Sequence, residues 1–423
     1  VSVSPPPTGA GGDKMRETHA AADSEASVEV AGLCALPPAS PIQLLPQDVL
    51  HNVLGRLSLC EVLACRPVCR TFRDALSSTP FLASLPPLRL LALRHPRAAA
   101  SPHPSLHALD PSFHRWIRLP LSFLPFPSFS PVTASPSLLY LWVDAAPSSA
   151  SAVATFARNH TKSLAVCNPL TGFHRLLPPL GSAWSRHGTV LAGPDGAVLV
   201  VTELAALSYA PSPDRWLKFP LSLPSKPRSP ILMADSVFAL CDVGTPWRSQ
   251  WKLFSCRLGD LGGVRGWAPL EQQEWGNVFD IFKRPRLLAG AGGCRLLLIG
   301  GLRSSFAVDA PCSTVLILRL DLATMEWDDA GKMPPEMYRC FGGGASGPSV
   351  AAAGGNNKVK VFGGDGKVWF SGKRVKGKLA LWEEEEVVGK SGGGLWSWVE
   401  GIPGYPEAMY RGFIFDAGFT ATP

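Results

Sequence analysis

The sequence predicts a small all-α unit of three short helices near the N-terminus, followed by an all-β propeller of about six blades. Apolar residues recur at helical spacing between residues 43 and 80, whereas short β-type runs separated by Gly and Pro fill the chain from about residue 111. Along this second part a short motif that usually begins with Trp and ends with Pro recurs at intervals of 40 to 71 residues. Gly and Pro number 41 each, which disfavours a helical bundle because both destabilise helix interiors.

Residues 1–42 precede the first periodic segment and are rich in Ser, Ala, Gly and Pro. They show neither helical nor strand periodicity, so we expect a disordered arm. The first residue is Val rather than Met, and the sequence is therefore compatible with a longer N-terminus that carries a targeting segment.

Residues 43–85 form the predicted helical unit. Leu50, Val53, Leu54 and Leu57 stand at i, i+3, i+4 and i+7, which gives one apolar helix face, and Pro46 suits the start of that helix. The next two helices are predicted from a Ser58-x-x-Glu61 capping box, from Pro67, and from the apolar residues Val62, Leu63, Val68, Cys69, Phe72 and Leu76. A unit of about 40 residues buries little surface by itself, so it needs a covering partner or the propeller.

Residues 86–110 are rich in Pro and are predicted to be a linker, and residues 111–423 are predicted to form the propeller. The clearest strand-like runs are 163–167, 197–202, 236–241, 295–299, 314–320 and 358–362. Kelch-type repeats are about 50 residues long, so residues 111–423 accommodate about six blades. A β-sandwich is the alternative.

One residue marks each copy of the recurring motif and is called its anchor. The anchors are Trp116, Leu176, Trp216, Trp267, Trp327 and Trp398. We expect each anchor to pack between adjacent blades. Two runs end in Gly pairs, Gly300-Gly301 and Gly363-Gly364, and we expect these pairs to permit close approach near a central channel.

The helical unit resembles an F-box. The resemblance rests on Leu45-Pro46, on the apolar helix that follows, and on Val68-Cys69-Arg70-x-Phe72. Phe72 stands where Trp is commoner in that family, and Pro67 interrupts a stretch that usually lacks proline. The remainder is similar to the kelch-like (galactose-oxidase-type) domain of plant F-box proteins, through Cys167–Gly172 and Leu177-Pro178-Pro179.

The resemblance implies a substrate-recognition subunit of a Skp1–cullin–F-box ubiquitin ligase, which is not itself an enzyme. On this basis the helical unit binds a Skp1-type adaptor, and through it a cullin, while unidentified propeller loops bind the protein to be ubiquitinated. The Skp1-binding residues it implies are Leu45, Pro46, Val49, Leu50, Val53, Leu54, Leu57, Leu63, Val68, Cys69 and Phe72. Alternatives are a transcriptional co-regulator and a ligand-binding propeller that acts without ubiquitin ligase assembly.

Other chemistry finds little support in the sequence. All nine histidines lie at or before His187, so the later blades cannot supply imidazoles to a copper site, and we expect no cofactor, metal or catalytic residue. A net charge of +7 is too diffuse to indicate direct nucleic-acid binding, and no long apolar stretch indicates a membrane partner. Ten cysteines without a C-x-x-C pair favour reduced thiols, and we expect a location in the nucleus or cytoplasm.

Overall fold

A computed structural model describes residues 41–94, 104–144, 162–180, 187–193, 196–245, 247–263, 266–275, 278–304, 312–342, 359–385, 394–403 and 409–423. The predicted disordered arm, residues 1–42, lies almost wholly outside the described residues. The chain divides into two compact units, Val1–Leu50 and His51–Pro423, with the boundary inside a helix.

Four α-helices occupy the described residues between 47 and 84, where the sequence predicts three. They are α1 (Gln47–Leu54), α2 (Leu59–Cys65), α3 (Arg70–Ser77) and α4 (Thr79–Ser84), after a 3-10 turn at Pro41–Leu44. The predicted capping box opens α2: the Ser58 N–H donates to Glu61 Oε2 at 2.8 Å, and the Glu61 N–H donates to Ser58 Oγ at 3.4 Å. The unpredicted α4 buries Phe81 and has Pro80 in its first turn.

Six four-stranded antiparallel sheets follow, and they are the blades of a propeller. From the inner to the outer strand, the first three blades are β24 (Arg411–Ala417), β1 (Leu88–Arg94), β2 (Ser105–Asp110) and β3 (Arg115–Pro120); β4 (Phe129–Ser135), β5 (Leu138–Asp144), β6 (Lys162–Cys167) and β7 (His174–Leu176); and β8 (Thr189–Ala192), β9 (Val198–Val201), β10 (Ala205–Ala210) and β11 (Arg215–Pro220).

The last three blades are β12 (Arg228–Met233), β13 (Ser236–Asp242), β14 (Trp251–Arg257) and β15 (Ala268–Pro269); β16 (Phe282–Ala289), β17 (Arg295–Arg303), β18 (Cys312–Asp321) and β19 (Trp327–Lys332); and β20 (Val359–Gly364), β21 (Lys367–Gly372), β22 (Leu379–Glu383) and β23 (Leu395–Val399). A short helix, α5 (Pro335–Cys340), connects the fifth blade to the sixth. The inner strands β24, β4, β8, β12, β16 and β20 contact one another in a closed ring around the channel.

The first blade closes this ring, because its inner strand comes from the C-terminus of the chain. β24 pairs antiparallel with β1 over seven residues, from Leu88 opposite Ala417 to Arg94 opposite Arg411. The strands β1 and β2 therefore belong to the first blade, and the prediction of a linker over residues 86–110 is wrong for its described strands. The partner of β1 lies more than 300 residues away in sequence, so no local pattern reveals the pairing.

Six separate apolar cores are formed by buried side chains of neighbouring blades. The sequence anchors lie on, or directly before, the fourth strand of each blade. Trp116 donates from Nε1 to the Glu400 carbonyl of the sixth blade at 3.3 Å, and Trp216 donates to Pro178 after the second blade at 2.8 Å. These two contacts confirm the prediction for Trp116 and Trp216, whereas the anchor Leu176 is 44% exposed.

The two Gly pairs lie on different strands. Gly363 and Gly364 belong to the inner strand β20, as predicted, and both have positive φ angles. Gly300 and Gly301 belong instead to the second strand, β17. A Cβ atom at Gly300 would lie 2.8 Å from the Phe282 ring, so this pair allows the inner strand β16 to pack closely.

Candidate functional site

The first candidate site is the set of exposed apolar side chains in the helical region. In the first unit, Leu45 is 39% exposed and Val49 is 38% exposed, whereas Leu50 is buried. Pro46 is also exposed, and its carbonyl accepts the first bond of α1 from the Leu50 N–H at 3.0 Å. The predicted residues of this unit therefore divide into exposed side chains and one core side chain.

The second unit contains the remaining predicted residues. Val53 is 47% exposed and Val68 is 67% exposed, whereas Leu54 is buried, although Val53 and Leu54 are neighbours on α1. Leu57, Leu63 and Phe72 are half-buried. The periodicity that places Leu50 and Leu54 on the predicted binding face also places them on the inner side of the helix. Burial therefore leaves Leu50 and Leu54 little surface for a partner.

Cys69 has a structural role that the sequence does not predict. It is the N-cap of α3, and its Sγ accepts the Phe72 N–H at 3.4 Å. Its place in the motif, next to Val68, predicts instead that Cys69 lies on the adaptor-binding face. The structure gives it a role in starting α3, and Val68 is the exposed neighbour.

Two exposed apolar residues lie before the Leu45-Pro46 pair with which the motif begins, so the motif does not include them. Leu44 is 73% exposed and Ile42 is 36% exposed, and both lie in or beside the turn before α1. The run Ile42-Gln-Leu-Leu-Pro46 carries apolar residues on both sides of Gln43, and this density of apolar residues is the sequence signal that indicates a longer apolar surface.

Local hydrogen bonds and burial shift the pKa values of two side chains in α2, Glu61 and Cys60. The pKa of Glu61 lies below its ordinary value because the Ser58 N–H and then the Ser58 hydroxyl donate to its carboxylate. Burial raises the pKa of the Cys60 thiol, which keeps it protonated, although the nearby charge of Arg115 acts in the opposite direction. A protonated thiol is a poor nucleophile, so Cys60 is unsuited to covalent chemistry.

The predicted substrate-binding site is the set of propeller loops. Phe113 and Phe173 are exposed at 69% and 63% in the turns before the fourth strands of their blades, and Leu204 and Trp247 are exposed at 67% and 81% in other connections. Leu204 and Trp247 lie between the second and third strands of their blades, at the end of the channel where the inner strands begin. The loops over 145–161, 305–311 and 343–358 lie outside the described residues.

The described residues contain neither a group of metal-ligating side chains nor a helix suited to cross a membrane. No cluster of three or more His, Cys, Asp or Glu side chains there is arranged to hold a metal ion. None of the helices in the described ranges is both long enough and apolar enough to span a bilayer.

Comparison with known proteins connects the helical region to a family. The model of the F-box domain matches residues 42–84. The chain is 48% identical over 401 residues to SKP1-interacting partner 15 of Arabidopsis thaliana, with coverage of 91% of this chain and 99% of that protein. It is 34% identical over 166 residues to Protein ABERRANT PANICLE ORGANIZATION 1 of Oryza sativa subsp. indica, with coverage of 37% of this chain and 35% of that protein.

A chain of Kuenenia stuttgartiensis hydrazine synthase superimposes on 67% of this chain, and the match covers 72% of that chain. Its TM-score is 0.40 at 10% identity, and this similarity carries no argument about function.

Proposed function

The chain belongs to the F-box protein family, and on this basis we propose that it is the substrate-recognition subunit of a Skp1–cullin–F-box ubiquitin ligase. The observation that carries the proposal is the 48% identity to SKP1-interacting partner 15 across 91% of this chain and 99% of that protein, so the match extends over both the F-box and the propeller of this chain. The helical region binds a Skp1-type adaptor, the adaptor connects the chain to a cullin, and the propeller holds the protein to be ubiquitinated.

In this proposal the chain performs no chemistry itself. It raises the effective concentration of the target protein near the ubiquitin-conjugating enzyme, which is a positioning effect. The nine cysteines in the described residues are free thiols, which supports a reducing compartment such as the nucleus or cytoplasm.

The exposed side chains, rather than the buried ones, make the adaptor contact. Val49 and Val53 are four residues apart on α1 and therefore lie on the same side of that helix. Both are more than one-third exposed, so burying them against a partner removes apolar surface from water without repacking the helix. Val68 supplies a third exposed apolar group in the segment before α3.

The test is co-purification of a Skp1 adaptor with the full chain carrying Val49→Asp and Val53→Asp. Asp and Val have similar helix propensities, so α1 is kept while two charges enter the proposed interface. We expect at least a tenfold loss of Skp1 binding with an unchanged thermal unfolding midpoint. The matched control is Phe173→Asp, a side chain that is 63% exposed on the turn between β6 and β7. Equal Skp1 binding by the double variant and the control would exclude this face.

A further inference from the structure

The helix α2 packs on the propeller through one of its sides. Leu59 packs against the apolar core between the first and second blades. Val62 is fully buried, and the Arg66 guanidinium lies 5.1 Å from the ring centroid of Phe419, just beyond the end of β24. These three residues of α2 are three and four positions apart, so they share one side of the helix. That side faces the propeller.

The opposite side of α2 is open to solvent. Glu61 and Ala64 are exposed there, and Val68 is 67% exposed in the turn that follows the helix. We call these three residues the exposed row. The Val68 N–H donates to the Cys65 carbonyl at 3.1 Å, which holds the turn against the end of α2. Since a helix rises about 1.5 Å per residue, the exposed row is only about 10 Å long.

The N-terminal end of α2 lies beside the turn between β2 and β3. Burial raises the pKa of the Cys60 thiol in α2, and the charges of Arg115 and Asp110 then act on it in opposite directions, so both groups are close to this helix. Asp110 ends β2 and lies directly opposite Arg115, which begins β3. The chain enters the propeller at the same end, since β1 begins at Leu88, opposite Ala417 at the end of β24.

Hydrogen bonds hold the turn between β2 and β3 in one conformation. Asp110 is buried, and its Oδ1 accepts the Ser112 N–H at 2.9 Å and the Phe113 N–H at 3.4 Å. His114 completes the turn with a left-handed φ of 49°. Phe113 lies at the tip of this turn and is 69% exposed. A side chain on an ordered backbone loses less conformational entropy when a partner covers it.

The turn itself does not require an aromatic residue. Turns of the same length occur in four blades, and each has one residue with a positive φ at the same position: His114, Gly172, Asp214 and Met325. The residue before it is Phe113 in the first blade, but Thr171, Pro213 and Thr324 in the second, third and fifth blades. Among these four turns, the aromatic ring at this position therefore occurs on the blade beside α2.

We propose that Phe113 is an adaptor-binding residue outside the F-box: the Skp1-type adaptor that covers the exposed row of α2 also buries the tip of the first-blade turn. The inference rests on the proposed function for the identity of this partner. The adaptor is favoured over a second copy of the chain because the F-box resemblance places Val68 in the adaptor-binding surface, and Val68 and the Phe113 turn lie at the two ends of the same exposed row.

The size of protein interfaces fits this continuity. An interface of standard size buries about 800 Å² on each partner, which corresponds to a round patch about 32 Å across. The exposed row and the adjoining turn lie within a patch of that width. Phe113 also has the chemistry of an interface residue, because aromatic side chains are enriched in interfaces relative to the rest of the surface. The first blade is then part of the adaptor-binding surface.

The direct test is photo-cross-linking of the full chain co-purified with a Skp1 adaptor. The photoreactive residue p-benzoylphenylalanine replaces Phe113 in one variant and Trp247 in the matched control. Trp247 is 81% exposed, but it lies between the second and third strands of its blade and therefore at the other end of the propeller. On irradiation we expect position 113 to give at least tenfold more product with the combined mass of chain and adaptor than position 247.

Other products of the same irradiation identify other occupants. A product with twice the mass of the chain would show that Phe113 contacts a second copy. A product with the mass of one chain, in place of the adaptor product, would show that another segment of the same chain covers Phe113. Either result would overturn the proposal.

The contribution of Phe113 to binding is measured by the rate at which bound adaptor exchanges with an excess of labelled adaptor. We expect Phe113→Asp to raise the dissociation rate at least fivefold, because a charge replaces an apolar ring in the contact. Phe113→Leu keeps an apolar side chain and should raise it less than Phe113→Asp does. Trp247→Asp is the control and should change the rate less than twofold. The thermal unfolding midpoint of each variant should stay unchanged, since both side chains are exposed.

The variant with Val49→Asp and Val53→Asp is measured alongside, which separates this inference from the proposed function. If the natural chain binds no adaptor, both fail. If the natural chain binds the adaptor and the double variant does not, while Phe113→Asp dissociates at the natural rate, the proposed function stands and the contact with the first blade is excluded.

Discussion

The helical region (residues 41–84) and the propeller (residues 88–423) differ in how far apart in sequence their stabilising contacts lie. In the helical region many hydrogen bonds join residues three apart, as between Ser58 and Glu61 or between Cys69 and Phe72. In the propeller, the buried Glu384 carboxylate binds Arg295 and Arg319, which are 89 and 65 residues away. Long-range contacts make the blades depend on one another, whereas each short helix forms largely from its own sequence.

The two regions also differ in the apolar surface that they leave exposed. The propeller encloses most of its apolar side chains in six cores between blades, although single residues such as Trp247 and Leu204 are exposed in its loops. The helical region has only a few fully buried side chains, among them Leu76 and Phe81, while Val68 and Leu44 are mostly exposed. The propeller thus supplies its own core, and the helical region keeps apolar surface that a partner can cover.

The largest effect is expected from breaking a contact between blades. Glu384 Oε1 accepts from Arg295 at 3.1 Å and from Arg319 at 2.9 Å, and Oε2 accepts the Ala291 N–H at 2.9 Å. Glu384→Gln leaves two guanidinium groups without this charge, but Arg319 keeps its bond to Asp328. We therefore expect a loss of about 3 kcal/mol in the free energy of unfolding, the low end for breaking a buried ion pair.

Chemical denaturation measures this loss, and the matched control is Glu385→Gln at the next, exposed position. An equally small change in both variants would mean that local contacts, rather than contacts between blades, stabilise this part of the propeller.

The sequence distance between contacting residues also decides which features of the structure could be predicted from the sequence. The capping box and the periodicity of α1 lie within a few residues, so the sequence predicts them directly. The blade anchors are predictable because they repeat. Glu384 is one of four consecutive glutamates, a charge run that is typical of a solvated surface, and only the approach of the fifth blade buries its side chain.

A pair of neighbouring residues on α1 separates stability from binding within the helical region. Leu54 is 3% exposed and Val53 is 47% exposed. Leu54→Ala removes buried methyl groups, and we expect it to destabilise the helical region by about 2–3 kcal/mol. Val53→Ala should change stability by less than about 0.5 kcal/mol, because it lies on the surface, yet weaken Skp1 binding.

Hydrogen exchange of peptides from residues 47–84 measures the stability, and Skp1 titration measures the binding. Comparable loss of exchange protection in both alanine variants would contradict the division of α1 into a core side and a partner side.

The smallest effect is expected from the capping box. The pKa of Glu61 is lower in the folded chain than in the unfolded chain, because the Ser58 N–H and hydroxyl stabilise the carboxylate. The unfolded chain therefore binds the proton more tightly, so this stabilisation is complete above the unfolded pKa and disappears as the pH falls through the folded pKa. Hydrogen exchange protection of α2 should decrease over this acidic range in the natural chain, and Glu61→Gln should remove part of that decrease. Glu336→Gln, in the first turn of α5, is the control and should leave the pH dependence of α2 unchanged. If Glu61→Gln also leaves it unchanged, α2 depends on its packing against the propeller rather than on its own cap, and the contrast between local and long-range stabilisation does not extend to this helix.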